Sequence, residues 1–191
     1  MTGFPCDAVG GKYRLQSSES GQTGLEVEST ATPFSPAPAA VADLVAAQAK
    51  RTPERIAIAW SGGSPWTYAR LQHAIDAIAG QLLERGTARG EPVGVFLPRR
   101  PELVAAALGV LRAGAAYLPL DPAFPAQRLR YMSGQTGIRC ALVWDGTRST
   151  APFESSVHLV ALNAPSSAIA LGALPAARDD DRACVLYTSG S

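Results

Sequence analysis

The sequence predicts a layered α/β fold, in which helices cover mainly parallel sheets. Short apolar runs of strand length alternate along the chain with segments of helix length, and Gly or Pro stands at most of the boundaries. Strands joined through such helices make right-handed crossovers, which place the helices on the faces of a parallel sheet. At 191 residues, 47% hydrophobic and 17% charged, the chain is long enough for one domain with a core.

The composition changes near residue 38. Residues 1–38 mix Gly, Ser, Thr, Pro and Glu without periodicity and predict a flexible leader, whereas residues 39–191 carry the periodic pattern of a folded domain. The first helix of that domain is expected to begin near Val41 and to end at Thr52, because Pro53 disfavours helical geometry in the residue before it.

The second predicted helix has the clearest signal. It follows a predicted strand at 56–60 and a turn, and the Thr67 hydroxyl can cap its first turn, while Gly86 can end it in a left-handed conformation. The apolar residues between these ends recur on one helical face: Leu71, Ile75, Ile78 and Leu82.

Further apolar runs predict more strands, and a helix follows each of the first two. Pro101 and Pro125 suit the first turns of these helices, and Gly114 is available to end the first of them. The runs are 92–97, 115–120, 140–144 and 157–162.

The last apolar run, 183–187, predicts a short buried strand that leads into a loop of small and hydroxyl-bearing residues. In open α/β sheets, ligands bind beyond the carboxyl ends of the strands, where such a loop would lie. Hydroxyls and backbone N–H groups of this kind can cradle a phosphate, although the pattern alone is more often a plain turn. The candidate site consists of Thr188, Ser189, Gly190 and Ser191.

Composition argues against several classes of function. The formal net charge is only +1, and the charged residues are scattered singly, so we expect no nucleic-acid partner. Only Lys12 and Lys50 are lysines among the 17 basic residues, which leaves few candidates for a catalytic lysine. No secretory signal and no apolar run of membrane-spanning length is visible, which predicts a cytoplasmic protein without a membrane segment.

The three cysteines suggest no metal centre and no disulfide framework. Cys6, Cys140 and Cys184 are far apart and lack the paired spacing of zinc ligands. Cys140 and Cys184 stand in apolar runs, so we expect both to be small buried hydrophobic residues.

Five other polar side chains are expected to be structural or solvated. His73 lies off the apolar helical face, and His158 stands in a predicted strand without a partner that the sequence identifies. Asp121, followed by Pro, is most simply a turn residue. Arg99 and Arg100 precede a helix, where they could meet an anion, but solvated charges at the end of a strand are the simpler expectation.

One long segment is far more specific. Residues 111–132, LRAGAAYLPLDPAFPAQRLRYM, resemble a core motif of the amino-acid adenylation domains of nonribosomal peptide synthetases, which belong to the adenylate-forming superfamily. Three other segments resemble the same domains in the expected order, so that the resemblance covers about residues 40–191. These segments are VADLVAAQAKRTPERIAI, WTYARL and YTSGS.

The resemblance implies an incomplete N-terminal subdomain of the adenylate-forming fold, with residues 39–191 ending inside the phosphate-binding loop. In the family, ATP and a carboxylic acid give an acyl-adenylate, and the acyl group then passes to the phosphopantetheine thiol of a carrier protein. ATP, Mg²⁺ and phosphopantetheine are therefore the implied cofactors of the complete enzyme, with an amino acid or another carboxylic acid as substrate and a carrier protein as partner. Thr188, Ser189, Gly190 and Ser191 would contact the β- and γ-phosphates.

The family's lysine, metal ligand, acid pocket and C-terminal domain follow the point that corresponds to Ser191. We therefore expect this chain alone to be inactive and to bind no ATP measurably. A free carboxylate at Ser191 would repel phosphate by about 4 kcal/mol at about 4 Å and an effective dielectric constant near 20. Two alternatives stay open: an acyl- or aryl-CoA ligase of the same superfamily, and a non-catalytic α/β interaction module.

Overall fold

A computed structural model describes residues 40–162, 175, 178 and 180–188. The predicted leader, residues 1–38, and the last loop residues, 189–191, lie outside this part. The helices are α1 (Val41–Arg51), α2 (Tyr68–Glu84), α3 (Pro101–Arg112), α4 (Ala126–Thr136) and α5 (Asp145–Arg148). The strands are β1 (Ile56–Ile58), β2 (Trp66–Thr67), β3 (Pro92–Phe96), β4 (Ala116–Pro119), β5 (Cys140–Val143) and β6 (His158–Ala161).

The main sheet is parallel throughout and has the order β4-β3-β5-β6. Val93 of β3 lies opposite Tyr117 on one side and Cys140 on the other. Strands β1 and β2 form a separate antiparallel pair. The predicted α/β fold with a mainly parallel sheet is confirmed.

Helix α2 begins and ends at the predicted signals. The Thr67 hydroxyl accepts a hydrogen bond from the backbone N–H of Arg70 at 3.2 Å, which satisfies one free donor of the first turn. Gly86 has a φ of 72°, in the left-handed region that glycine adopts without strain. The predicted apolar face is buried: Leu71, Ile75, Ile78 and Leu82.

Two hydrophobic clusters lie on the two faces of the sheet. Helices α2 and α3 pack on one face, where Val93 and Val95 meet Ile75 and Val110. Helix α4 contributes to the second cluster, whose buried side chains include Phe96, Leu118, Leu129 and Met132. Since each strand sends alternate residues to opposite faces, strands buried on both sides read as continuous apolar runs.

The run 183–187 does not form the buried strand that the sequence predicts. It makes one parallel bridge, between Cys184 and Tyr117, at the outer edge of β4. Leu186 is 64% exposed. In the described part of the chain no strand pairs with its other side. Apolar composition indicated a strand, but composition does not distinguish an edge from a sheet centre.

Candidate functional site

The segment that leads into the candidate phosphate loop lies beside β4, an edge strand of the main sheet. Tyr117 donates its backbone N–H to the Ala183 carbonyl at 3.1 Å and accepts from the Val185 N–H at 3.0 Å, so residues 183–185 run parallel to β4. Thr188 therefore lies toward the carboxyl end of the sheet and is exposed. This is the position at which open α/β sheets bind ligands.

Of the four predicted site residues, only Thr188 belongs to the described structure. Ser189, Gly190 and Ser191 lie outside the described residues, so their phosphate contacts stay a prediction. An exposed hydroxyl at the carboxyl edge has the donor chemistry that a phosphate group needs. The contact of Thr188 itself with a phosphate likewise stays a prediction.

Tyr187, which the sequence showed only as the end of an apolar run, is hydrogen-bonded to helix α4 immediately before Thr188. Its hydroxyl oxygen lies 2.8 Å from the Thr136 Oγ1 and 3.2 Å from the Met132 carbonyl oxygen. Both contacts are satisfied when Thr136 donates to Tyr187 and Tyr187 donates to the carbonyl. The Tyr187 ring also meets Tyr131 edge to face, with centroids 6.2 Å apart.

Before the bridge, the chain forms an ion pair with Arg89. Arg89 donates from Nε to the Asp181 Oδ1 at 2.7 Å, and its Nη2 lies 2.5 Å from Oδ2. The backbone N–H of Arg178 donates to the same Oδ2 at 2.8 Å. The hydrogen bond from Arg89, followed by that from Arg178, holds the pKa of the Asp181 carboxyl below its ordinary value of 3.8. Asp181 is therefore ionised at neutral pH.

Arg100 is only partly the solvated charge that the sequence predicts, since its side chain is 35% exposed and also lies 3.4 Å from the Glu102 carboxylate. Its guanidinium carbon lies 5.0 Å from the centroid of the Trp60 ring and 4.5 Å from that of Trp144. The two tryptophans follow β1 and β5, and the fold brings both to Arg100 after β3, where their π faces attract the cation. Arg99 is exposed, as predicted.

The other polar side chains behave largely as expected. His73 and His158 are both exposed, and Asp121 accepts a hydrogen bond from the Ala123 N–H at 2.9 Å, as a turn residue does. Cys140 is buried, whereas Cys184 is only half-buried, so the expectation of burial is wrong for Cys184. Within the described ranges, no group of three or more potential metal ligands occurs. Nor does any described helix have the length and apolarity to cross a membrane.

The parallel sheet with helices packed on it defines a protein of the open α/β class, whose members bind ligands beyond the carboxyl ends of their strands. A family model described as AMP-binding enzyme matches residues 45–191, so the chain belongs to the AMP-binding enzyme family.

Its curated relatives include several peptide synthetases. Surfactin synthase subunit 2 of Bacillus subtilis (strain 168) is 35% identical over an alignment of 192 positions, which covers 94% of this chain and 5% of that protein. The phosphinothricin tripeptide synthetase PhsB of Streptomyces viridochromogenes is 36% identical over 78% of this chain and 13% of its own length. The chain thus spans a small part of the length of these relatives.

Solved structures agree on the fold. The nonribosomal peptide synthetase FmoA3 superposes with a TM-score of 0.73 at 32% identity, over 81% of this chain and 17% of that one. The N-terminal subdomain of Klebsiella oxytoca NpsA, in complex with 3-hydroxybenzoyl-AMSN, superposes with a TM-score of 0.68 at 25% identity. The match covers 80% of this chain and 38% of that one. The described fold is that of part of the N-terminal subdomain of an adenylate-forming enzyme.

Proposed function

We propose that this chain is the N-terminal part of an amino-acid adenylation domain. In the first step a substrate carboxylate oxygen attacks the α-phosphorus of ATP, the bond to the β-phosphate oxygen breaks, and pyrophosphate leaves. In the second step a phosphopantetheine thiolate on a carrier attacks the aminoacyl carbonyl carbon, and AMP leaves. The family match and the peptide synthetase relatives support the proposal.

The observation that carries the proposal is the placement of Tyr187 and Thr188, which lead into the predicted loop. The bridge to β4 directs the chain toward the carboxyl edge of the sheet, and the Tyr187 hydroxyl fixes its last residue before the loop. In the proposed complex the loop residues donate to the β- and γ-phosphates and offset the charge that builds up during transfer. These donors are Thr188, Ser189, Gly190 and Ser191.

The remaining charge compensation is assigned to groups outside the described residues. Mg²⁺, bound with ATP, would supply positive charge at the phosphates. The only described lysine, Lys50, lies in α1 and far along the chain from the loop. We accordingly propose that a polypeptide of these 191 residues alone binds no ATP measurably, which calorimetry with Mg²⁺ tests. Micromolar, Mg²⁺-dependent binding would contradict this. We infer a cytoplasmic location, where ATP is supplied.

The site is tested by substituting Ser189→Ala in the full product of the reading frame that contains these residues. Loss of one phosphate donor is expected to lower amino-acid-dependent ATP–pyrophosphate exchange by about tenfold or more. Ser61→Ala, in the exposed turn between β1 and β2, is the matched control and should leave the exchange unchanged. Equal activity of the Ser189→Ala variant and the parent enzyme would show that Ser189 does not contribute to phosphate binding.

The relatives favour amino-acid activation over the CoA ligase alternative. The relatives at 35% identity or more include several peptide synthetases, whereas the O-succinylbenzoate coenzyme A synthetase of Bacillus subtilis shares 22% identity, which supports a common fold alone. The non-catalytic interaction module has no such support. It would be favoured if the full product activated no carboxylic acid at all.

A further inference from the structure

We propose that Tyr187 is a positioning residue, which fixes Thr188, the first residue of the candidate phosphate loop, by fastening the chain before it to helix α4. This inference rests on the proposed function, since it assigns a role to the approach to the same loop. The segment concerned, residues 180–188, is called the approach segment below.

The approach segment needs fixing because the sheet holds it weakly. One bridge, between Cys184 and Tyr117, joins it to β4, through two backbone hydrogen bonds of 3.1 and 3.0 Å. No described strand covers its outer side, and Leu186 is 64% exposed. A backbone with few hydrogen bonds and little apolar burial opens locally at low cost. Sheet pairing alone therefore does not set the position of Thr188.

Helix α4 supplies a rigid support at the carboxyl end of the segment. Leu129 and Met132 of this helix are buried in the core at 2% and 4% exposure. The Tyr187 hydroxyl bridges two groups at the end of the same helix, the Thr136 hydroxyl at 2.8 Å and the Met132 carbonyl at 3.2 Å. Thr188 is covalently next to Tyr187, so a displacement of the phenol displaces the first residue of the loop.

The amino end of the segment is held by the ion pair of Asp181 with Arg89. Both side chains reach solvent, with 20% and 32% exposure, and exposed ion pairs contribute little because water and salt screen them. The pair also lies on the far side of the Cys184 bridge from the loop. The half-buried contact of Tyr187, directly before Thr188, is therefore the stronger of these two side-chain anchors.

The kinetic test is Tyr187→Phe in the full product of the reading frame, measured by ATP–pyrophosphate exchange. The variant loses only the hydroxyl, and we expect the KM for ATP to rise by about two- to tenfold, the range that one net hydrogen bond spans. The KM for the amino acid should stay unchanged. Tyr131→Phe, on the same helix and in contact with the same ring, is the control and should leave both values unchanged.

The partner side of the hydrogen bond gives a second kinetic test. Thr136→Val should reproduce the rise in KM for ATP, Thr136→Ser should retain the parent value, and the double variant Tyr187→Phe, Thr136→Val should be no worse than either single variant. An unchanged KM for ATP in Tyr187→Phe, or an equal rise in Tyr131→Phe, would overturn the proposal.

Hydrogen–deuterium exchange separates this inference from the proposed function. In the Tyr187→Phe variant, peptides of residues 183–188 should exchange faster than in the parent, while peptides of α2 and β3 should not change. Unaltered exchange throughout would show that the hydroxyl fixes nothing. If the parent enzyme activates no amino acid, the proposed function fails, and faster exchange would then leave Tyr187 an anchor without a role in ATP binding.

Discussion

At Cys140, burial decides the chemistry of the thiol. The residue begins β5, is 6% exposed, and was expected from its apolar run to be a buried hydrophobic residue. Removal from water raises the pKa of its thiol from 9.0 to about 11, with the positive charge of Arg85 acting in the opposite direction. Since the thiolate is the nucleophile, the Cys140 thiol is expected to react slowly with electrophiles at neutral pH.

Alkylation of Cys140 is expected to be slow in the folded chain. At pH 8 a pKa near 11 leaves about a hundredfold less thiolate than a pKa of 9.0. With iodoacetamide and peptide mass spectrometry, the native protein should therefore label at Cys140 about a hundredfold more slowly than the same protein in urea. Equal rates in the two samples would show that the thiol is not buried.

Arg100 is expected to stabilise the fold through Trp60 and Trp144. Arg100→Ala removes both ring contacts, together with a 3.4 Å ion pair to Glu102 that contributes little, and should lower the free energy of unfolding by about 1–2 kcal/mol, measured by urea titration. The adjacent exposed residue supplies the control, since Arg99→Ala should stay within about 0.5 kcal/mol of the parent. A similar loss in both variants would mean that the tryptophan contacts contribute nothing.

Between elements, the packing of α3 on α2 requires Gly109. A Cβ at this position would lie 2.6 Å from the Ile78 Cγ2 and 3.2 Å from the Ile75 carbonyl oxygen. Both neighbours belong to the buried face of α2, where little space is available for adjustment. The absence of a side chain at Gly109 thus lets the two helices approach closely.

Gly109→Ala is therefore expected to destabilise the protein, although alanine favours a helix. Overpacking should lower the free energy of unfolding by about 1–3 kcal/mol, as measured by urea titration. Gly134 of α4 is the matched control, because a Cβ there meets no atom within 4 Å. Gly134→Ala should raise the free energy of unfolding by about 0.5–1 kcal/mol. A stabilised Gly109→Ala variant would contradict the close packing.

Helices and strands were predictable where local sequence signals indicated the same structure as the burial of their apolar residues. For α2, the sequence predicted the start from Thr67, the end from Gly86 and the buried side from one apolar face. These predictions succeeded because capping and periodicity act within a few residues of sequence. The prediction of a buried strand at 183–187 was wrong, since the burial of a strand depends on which other strands lie beside it. Trp60, Arg100 and Trp144 were missed for the same reason, because only the fold brings them together.

For the whole molecule, stability should fall in acid through Glu91. The hydrogen bond from Arg139 lowers the pKa of the Glu91 carboxyl from 4.5. A pKa that is lower in the folded state gives stability that is present above pH 4.5 and is lost as the pH falls through the folded-state value. Urea titrations should therefore show Glu91→Gln less stable than the parent at pH 7, with the difference shrinking toward pH 3. A difference independent of pH would contradict the ion pair.

The function of the molecule was predictable in its class and not in its detail. The segment 111–132 and three further motifs resembled adenylation domains, and the family match agrees. The phosphate contacts of Ser189, Gly190 and Ser191 remain a prediction. The role proposed for Tyr187 could not be read from the sequence, because its partner Thr136 lies on a separate helix and the hydrogen bond exists only in the folded chain.

The central claim is that the loop after Tyr187 belongs to an enzyme that activates an amino acid with ATP. The most direct measurement is ATP–pyrophosphate exchange by the full product of the reading frame, with the twenty amino acids and a set of aryl acids offered separately. We predict exchange that depends on one or a few amino acids and on Mg²⁺, and that falls in Ser189→Ala. Exchange with aryl acids alone, or with no carboxylic acid, would contradict the claim.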